Sequence, residues 1–188
     1  TNLKHEGIHD SMVHQVGDVM FDASLMFGEK ARKDNDILKK HAIEVEAIAG
    51  TATAGIPHAT SLADLLKVPL VYVRSTAKSH GMGNKIEGIL KKNQRVLVIE
   101  DLISTGGSAV NAVTAIREAG GIVNHCFSIF SYGFPEASEK FKGISCQNDS
   151  ILVFAELLKI AQLTKHISLN DIKTLQSWQK NPFNWKSG

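Results

Sequence analysis

Residues 96–110, VLVIEDLISTGGSAV, decide the fold. The first four residues are all apolar, whereas a strand with one face in water would alternate apolar and polar side chains. A short run that is apolar at every position is typical of a parallel strand covered on both faces. Two carboxylates, Glu100 and Asp101, follow this run, and a Thr-Gly-Gly-Ser turn then leads into a helical pattern. The segment therefore predicts a buried strand, a polar loop and a helix in direct succession.

Alternation of strands and helices predicts the fold class. Strands are expected at residues 45–49, 68–73, 96–99 and 122–130, where β-branched residues are frequent. Helices are expected at residues 56–67 and 108–119, and Gly120-Gly121 is a suitable stop for the second. This order indicates an α/β fold around a parallel sheet with right-handed crossovers. Two more helices are expected near the C-terminus, at about residues 150–163 and from a capping-box-like Ser168 and Asp171 onward.

The composition limits the class of protein. With 188 residues, 43% of them hydrophobic, the chain can form one domain with a substantial core. A net charge of +2 gives no indication of a nucleic-acid or membrane partner. No apolar stretch approaches the roughly 18 residues of a membrane helix, and the N-terminus lacks a signal-peptide pattern, so we expect a soluble cytoplasmic protein. Cys126 lies in an apolar segment and is expected to be a reduced, packed thiol.

Three of the predicted strands lead into loops with complementary chemistry. Ligands of open α/β sheets bind at the carboxyl ends of the strands, where these loops would meet. The loops are GTATAGIP (50–57), RSTAKSHGMGNKIEG (74–88) and EDLISTGGS (100–108). Backbone amides and hydroxyls suit a phosphate, cations suit a more negative phosphate group, and adjacent carboxylates suit a diol or a hydrated Mg²⁺.

Common nucleotide-binding patterns do not fit these loops. The P-loop pattern fails because Ile56 and Pro57 follow Gly55, and no GxGxxG follows a predicted strand. A sugar with one phosphate at one end and a diphosphate at the other matches three separate sites better than ATP or NAD does.

Residues 96–109 resemble the phosphoribosyl-diphosphate motif of the type I phosphoribosyltransferases. More narrowly, residues 48–57, 71–88 and 96–109 are similar to the orotate phosphoribosyltransferases in order and spacing, and the resemblance runs from about residue 46 to the C-terminus. It implies a parallel sheet flanked by helices, with a small N-terminal hood and C-terminal helices, in one domain over residues 1–188. It also implies transfer of a phosphoribosyl group from phosphoribosyl diphosphate to orotate, giving orotidine 5'-monophosphate and diphosphate in pyrimidine biosynthesis.

The resemblance assigns roles to the loop residues. Glu100 and Asp101 would hold the ribose hydroxyls, and Ser104 would also touch orotate. Substrate contacts would continue along the segment, at Leu102, Ile103, Thr105, Gly106, Gly107 and Ser108, of which the last four would surround the 5-phosphate.

The resemblance likewise assigns the basic loop to the diphosphate. Arg74, Lys78 and His80 would bind it, and Lys78, His80 and Asp101 would be the catalytic residues. Mg²⁺ would join the diphosphate and the ribose hydroxyls without direct side-chain ligands. Lys78 and His80 would reach the neighbouring subunit's site in a homodimer.

The first 45 residues depart from the family pattern. Orotate phosphoribosyltransferases carry K-S-P-x-Y-F/C-D near the N-terminus, and the nearest counterpart here is VGDVMFD, residues 16–22, which keeps Phe21 and Asp22. This difference keeps open a phosphoribosyltransferase for another base. A non-catalytic regulator that binds phosphoribosyl diphosphate is the other alternative, although the cations of the basic loop favour an enzyme.

Overall fold

The computed structural model describes residues 43–75 and 85–184. Six strands lie in this part of the chain, β1 Ala47–Thr51, β2 Leu70–Val73, β3 Ile86–Glu87, β4 Val96–Ile103, β5 His125–Ser131 and β6 Gln147–Val153. Five helices accompany them, α1 Gly55–Leu66, α2 Gly107–Glu118, α3 Pro135–Gly143, α4 Phe154–Leu163 and α5 Leu169–Lys180. The expected single domain and its divergent segment 1–45 stay predictions, because residues 1–42 lie outside the described residues.

The strands form one sheet in the order β3-β2-β1-β4-β5-β6. All neighbouring pairs are parallel except β2 and β3. The expected α/β fold with a parallel sheet is therefore confirmed. β1 and β4 occupy the centre, and every residue of β1 is buried, as expected of a strand covered on both faces.

The hydrophobic core lies between the central strands and helices α2 and α3. Val98, Val113, Ile116 and Phe141 are each at most 1% exposed and belong to one buried cluster. Cys126 is fully buried and free, as expected. Burial raises the pKa of its thiol well above the usual value, so the group stays protonated.

Two of the predicted element boundaries are wrong. The strand expected to end at residue 99 continues to Ile103, because Leu102 and Ile103 pair with β5. The helix expected from residue 150 begins at Phe154, because the residues before it form β6. β6 opens with the polar residues QNDS, and their strand conformation depends on pairing with β5, which a local pattern does not reveal.

Three elements were not predicted, and one detailed prediction is confirmed. β3, α3 and β6 were all missed, although Pro135 at the first turn of α3 is a recognised helix start. Ser168 and Asp171 form the expected capping box of α5. Trp178 packs against Tyr132, Phe134 and Phe154. No helix in residues 43–75 and 85–184 has both the length and the apolar character needed to cross a membrane.

Candidate functional site

Three loops begin at one edge of the sheet. β2, β1 and β4 are adjacent and parallel, so the segments that follow Val73, Thr51 and Ile103 leave the same edge. This is the arrangement that the sequence predicted, and it is the edge at which open α/β sheets bind ligands.

The acid pair lies inside β4 and not in the loop after it. Glu100 is 5% exposed and Asp101 is half-buried. The Glu100 carboxylate accepts hydrogen bonds from the Thr51 hydroxyl and from the Asp101 backbone N–H, the latter at 3.1 Å. The two acids are therefore inequivalent: one is enclosed by protein, and the other retains access to solvent.

The enclosed position changes the ionisation of Glu100. Burial, together with a side-chain hydrogen bond to Asp101, raises its pKa from 4.5 to about 7, although the Thr51 hydroxyl acts in the opposite direction. A raised pKa lets one acid keep its proton near neutral pH, which relieves the repulsion between adjacent carboxylates. The pair can therefore both donate and accept hydrogen bonds to a diol.

The loop after β4 leads into the N-terminus of α2. Ser104 and Thr105 are half-buried, Gly106 is the N-cap with φ of 75°, and α2 begins at Gly107. The first intrahelical bond runs from the Val110 N–H to the Gly106 carbonyl at 3.0 Å. The amides of the first helical turn before Val110 have no intrahelical acceptor, and such amides bind anions well.

Helix α3 packs against this loop. A Cβ at Gly106 would lie 3.4 Å from the Cα and Cβ of Ala137 and 3.4 Å from Cε2 of Phe141. Both residues are buried on α3, a helix that was not predicted. The loop backbone therefore rests directly on a rigid element.

The side chains of Leu102 and Ile103 differ in what they can contribute. Leu102 is half-buried, whereas Ile103 is 1% exposed and packs in the core. The Ile103 carbonyl accepts the Tyr132 N–H at 3.0 Å. The predicted contact of Ile103 with substrate therefore could not involve its side chain, which packs in the core. Ser108, in the first turn of α2, is exposed.

Close packing between α1 and the sheet leaves no room for side chains at the glycines of the first loop, residues 50–57. A Cβ at Gly50 would lie 2.9 Å from the Ala59 Cβ, and a Cβ at Gly55 would collide with Thr51 Oγ1 and lie 2.7 Å from the Ile99 carbonyl oxygen. The glycines of GTATAG thus bring α1 close to the sheet. The contact of Thr51 with Glu100 was missed by sequence reasoning, because nothing local relates residues 49 positions apart.

The basic loop is described only at its two ends. The Arg74 N–H donates to the Lys85 carbonyl at 2.8 Å, and Arg74 Nη1 lies 3.4 Å from Glu87 Oε1. Arg74 therefore lies at the same sheet edge as the acid pair. Lys78 and His80 lie outside the described residues, so their predicted roles stay predictions.

Comparison with known proteins identifies the family. Residues 29–154 match the phosphoribosyl transferase domain. The orotate phosphoribosyltransferase of Listeria monocytogenes is 48% identical over 142 residues, which cover 76% of this chain and 68% of that protein.

Solved structures agree with this assignment. The orotate phosphoribosyltransferase of Aeropyrum pernix is 30% identical, with a TM-score of 0.58 over 64% of this chain and 67% of that one. The Mycobacterium tuberculosis orotate phosphoribosyltransferase in complex with 5-phospho-alpha-D-ribosyl 1-diphosphate is 26% identical, with a TM-score of 0.53 over 72% of this chain and 75% of that one. The sequence, the sheet and the site edge therefore agree, and the chain belongs to the orotate phosphoribosyltransferase family.

Proposed function

We propose that this protein transfers the phosphoribosyl group of phosphoribosyl diphosphate to orotate, giving orotidine 5'-monophosphate and diphosphate for pyrimidine biosynthesis. The observation that carries the proposal is that an acid pair, the N-terminus of α2 and Arg74, at the start of the basic loop, lie at one sheet edge. The relatives named orotate phosphoribosyltransferase support orotate as the acceptor.

The binding roles follow the chemistry of each loop. Asp101, with Glu100 behind it, accepts or donates hydrogen bonds to the ribose hydroxyls. The amides and hydroxyls from Thr105 to Ser108 surround the 5-phosphate at the start of α2, where backbone N–H groups favour negative charge. We call residues 105–108 the phosphate cradle. Ser104 lies next to this phosphate cradle, in the position that would also touch orotate. Arg74, with Lys78 and His80 on the same loop, holds the diphosphate.

The reaction needs charge stabilisation more than a nucleophile. The bond from the sugar's C1 to the diphosphate oxygen breaks, and the electron pair leaves with the diphosphate. Orotate N1 forms the new bond to C1, and the proton of N1 passes to the departing diphosphate. Lys78, His80 and Arg74 would stabilise the charge that develops on the diphosphate and exclude water from the sugar cation. A loop that closes in this way often limits turnover.

A divalent cation at this edge would take most of its ligands from the substrate and water. Among the described residues, no group of three His, Cys, Asp or Glu side chains could hold a metal ion. Mg²⁺ commonly takes most of its oxygens from substrate phosphates and water, so a site of this kind would be completed by the substrate. Bound Mg²⁺ would supply positive charge to the leaving diphosphate.

A homodimer with shared sites and a cytoplasmic location are further parts of the proposal. The resemblance of the 74–88 loop supports the dimer, since Lys78 and His80 of one subunit would serve the neighbouring site. Mixing Lys78→Ala subunits with Asp101→Asn subunits tests this arrangement. Shared sites predict that, at low phosphoribosyl diphosphate concentration, the mixture is more active than either variant alone, whereas sites formed within one subunit predict no gain.

The reaction itself is tested by following orotate consumption at its ultraviolet band, with and without phosphoribosyl diphosphate. We expect consumption that depends on the sugar diphosphate and on Mg²⁺. Uracil, hypoxanthine and adenine serve as competing bases. Turnover of one of these in place of orotate would favour a transferase for another base, and sugar-diphosphate binding without turnover of any base would favour the regulator.

A further inference from the structure

Thr51 forms a buried contact between two strands, β1 and β4, each of which leads into a site loop. It is the last residue of β1 and is 2% exposed. Its hydroxyl contacts Oε1 of Glu100 as a hydrogen-bond donor and lies 3.2 Å from the Ile99 carbonyl oxygen. The register pairs Gly50 with Ile99, so Thr51 and Glu100 lie opposite each other across β1 and β4. A hydrogen bond to a carboxylate at such a buried position is among the stronger kinds.

The start of α1 packs directly against Thr51. Gly55, the first residue of α1, is buried, and any side chain there would strike Thr51 Oγ1. The turn of residues 52–54 joins Thr51 to Gly55. The Thr51 hydroxyl therefore links this turn, which is at the candidate diphosphate edge, to the acid on β4.

The Thr51 hydroxyl and the Asp101 backbone N–H both donate to Oε1 of the Glu100 carboxylate, which also has a side-chain hydrogen bond to Asp101. Oε2 accepts neither the Thr51 hydroxyl nor the Asp101 N–H. With one oxygen held by two donors, rotation of the carboxylate is restricted and the direction of Oε2 is set.

We propose that Thr51 is a positioning residue whose hydroxyl orients the Glu100 carboxylate, so that Oε2 meets a ribose hydroxyl of the sugar diphosphate. The inference rests on the proposed function, because it assigns the sugar to the acid pair. Thr51 itself touches no substrate in this arrangement and acts through Glu100.

Matched variants separate the hydroxyl from the methyl group. Thr51→Val keeps the shape and removes the donor, and we expect the KM for phosphoribosyl diphosphate to rise about tenfold, with a smaller change in kcat. The affinity for ribose 5-phosphate, measured by calorimetry, should fall in parallel. Thr51→Ser keeps the hydroxyl and should restore most of the affinity. Thr60→Val is the control, since it removes an exposed hydroxyl that bonds the Ile56 carbonyl on α1.

A double-mutant cycle tests whether Thr51 acts through Glu100. In a Glu100→Ala background the valine substitution should add little to the loss of affinity, because the carboxylate it positions is gone. An equal effect in both backgrounds, an unchanged KM in Thr51→Val, or a serine variant as weak as the valine variant would overturn the proposal. If the valine variant does not fold, Thr51→Ala takes its place with the same expected results.

The ribose 5-phosphate measurement keeps this inference distinct from the proposed reaction. Absence of orotate-dependent turnover in the wild-type protein would remove the proposed function. A ribose 5-phosphate affinity that falls in Thr51→Val and is mostly restored in Thr51→Ser would still support the positioning role. An affinity that these substitutions leave unchanged would refute it.

Discussion

Arg74 Nη1 lies 3.4 Å from Glu87 Oε1, at the base of the basic loop. The side chains are 38% and 27% exposed, so the pair is partly screened by solvent. A cation proposed to bind the diphosphate is therefore already engaged by a carboxylate. Binding of the diphosphate must compete with Glu87 for the guanidinium group.

Removal of the competing charge should strengthen substrate binding. Glu87→Gln is expected to lower the KM for phosphoribosyl diphosphate about threefold, because a partly exposed ion pair contributes at most about 1 kcal/mol. Steady-state kinetics at low ionic strength measure the effect. Asp64→Asn, which breaks the exposed pair with Lys67 on α1, is the control and should leave the KM unchanged. A KM that rises in Glu87→Gln would show that the pair assists binding.

Asp101 offers a test of the acid pair that needs no turnover. Asp101→Asn should weaken the binding of phosphoribosyl diphosphate about tenfold, because a carboxylate acceptor for a ribose hydroxyl is lost. Calorimetry with Mg²⁺ present measures the affinity. Asp149→Asn, at a half-buried position on β6, is the matched control. Equal affinities in the wild-type protein and Asp101→Asn would count against the diol role.

Lys78 tests the basic loop. Lys78→Ala should lower kcat about a hundredfold at saturating substrate, as expected when one cation that stabilises developing charge is removed. Its circular dichroism should match that of the wild-type protein. Lys85→Ala, at the exposed end of the same loop, should keep most of the activity. Wild-type turnover in Lys78→Ala would mean that the loop assignment is wrong.

The parts of the site that sequence predicted are those whose signal is local. The uniformly apolar start of β4 and the loops after three strands predicted the sheet edge at which the candidate site lies. The Ser168 capping box predicted the start of α5. The parts that were missed depend on distant partners. β4 continues past Asp101 because Leu102 and Ile103 pair with β5, and Glu100 is enclosed by a threonine on another strand.

The pH dependence of stability follows from Glu100. Its pKa is raised from 4.5 to about 7 in the folded protein by burial and by the hydrogen bond to Asp101. The folded state therefore binds the proton more tightly than the unfolded chain does. This contribution to the free energy of unfolding is complete below pH 4.5 and is lost as the pH rises to about 7.

A glutamine at this position removes the titration. Relative to Glu100→Gln, the free energy of unfolding of the wild-type protein should fall across this pH range by about 1.4 kcal/mol per unit of pKa shift. Urea unfolding at several pH values measures both proteins. A difference that stays constant with pH would show that Glu100 does not titrate abnormally.

Gly106 permits the most specific test of the phosphate cradle. Its φ of 75° lies in the left-handed region, and a side chain there costs about 1–2 kcal/mol. Gly106→Ala should therefore shift the loop backbone, because a residue with a Cβ disfavours this φ, and weaken ribose 5-phosphate binding about tenfold. Gly120→Ala is matched in strain, with φ of 90°, but it lies beyond the C-terminal end of α2, the end opposite residues 105–108. It should lose similar stability in thermal unfolding and keep its ribose 5-phosphate affinity in calorimetry. If both variants lose affinity equally, the loss follows global destabilisation, and the cradle assignment at residues 105–108 is wrong.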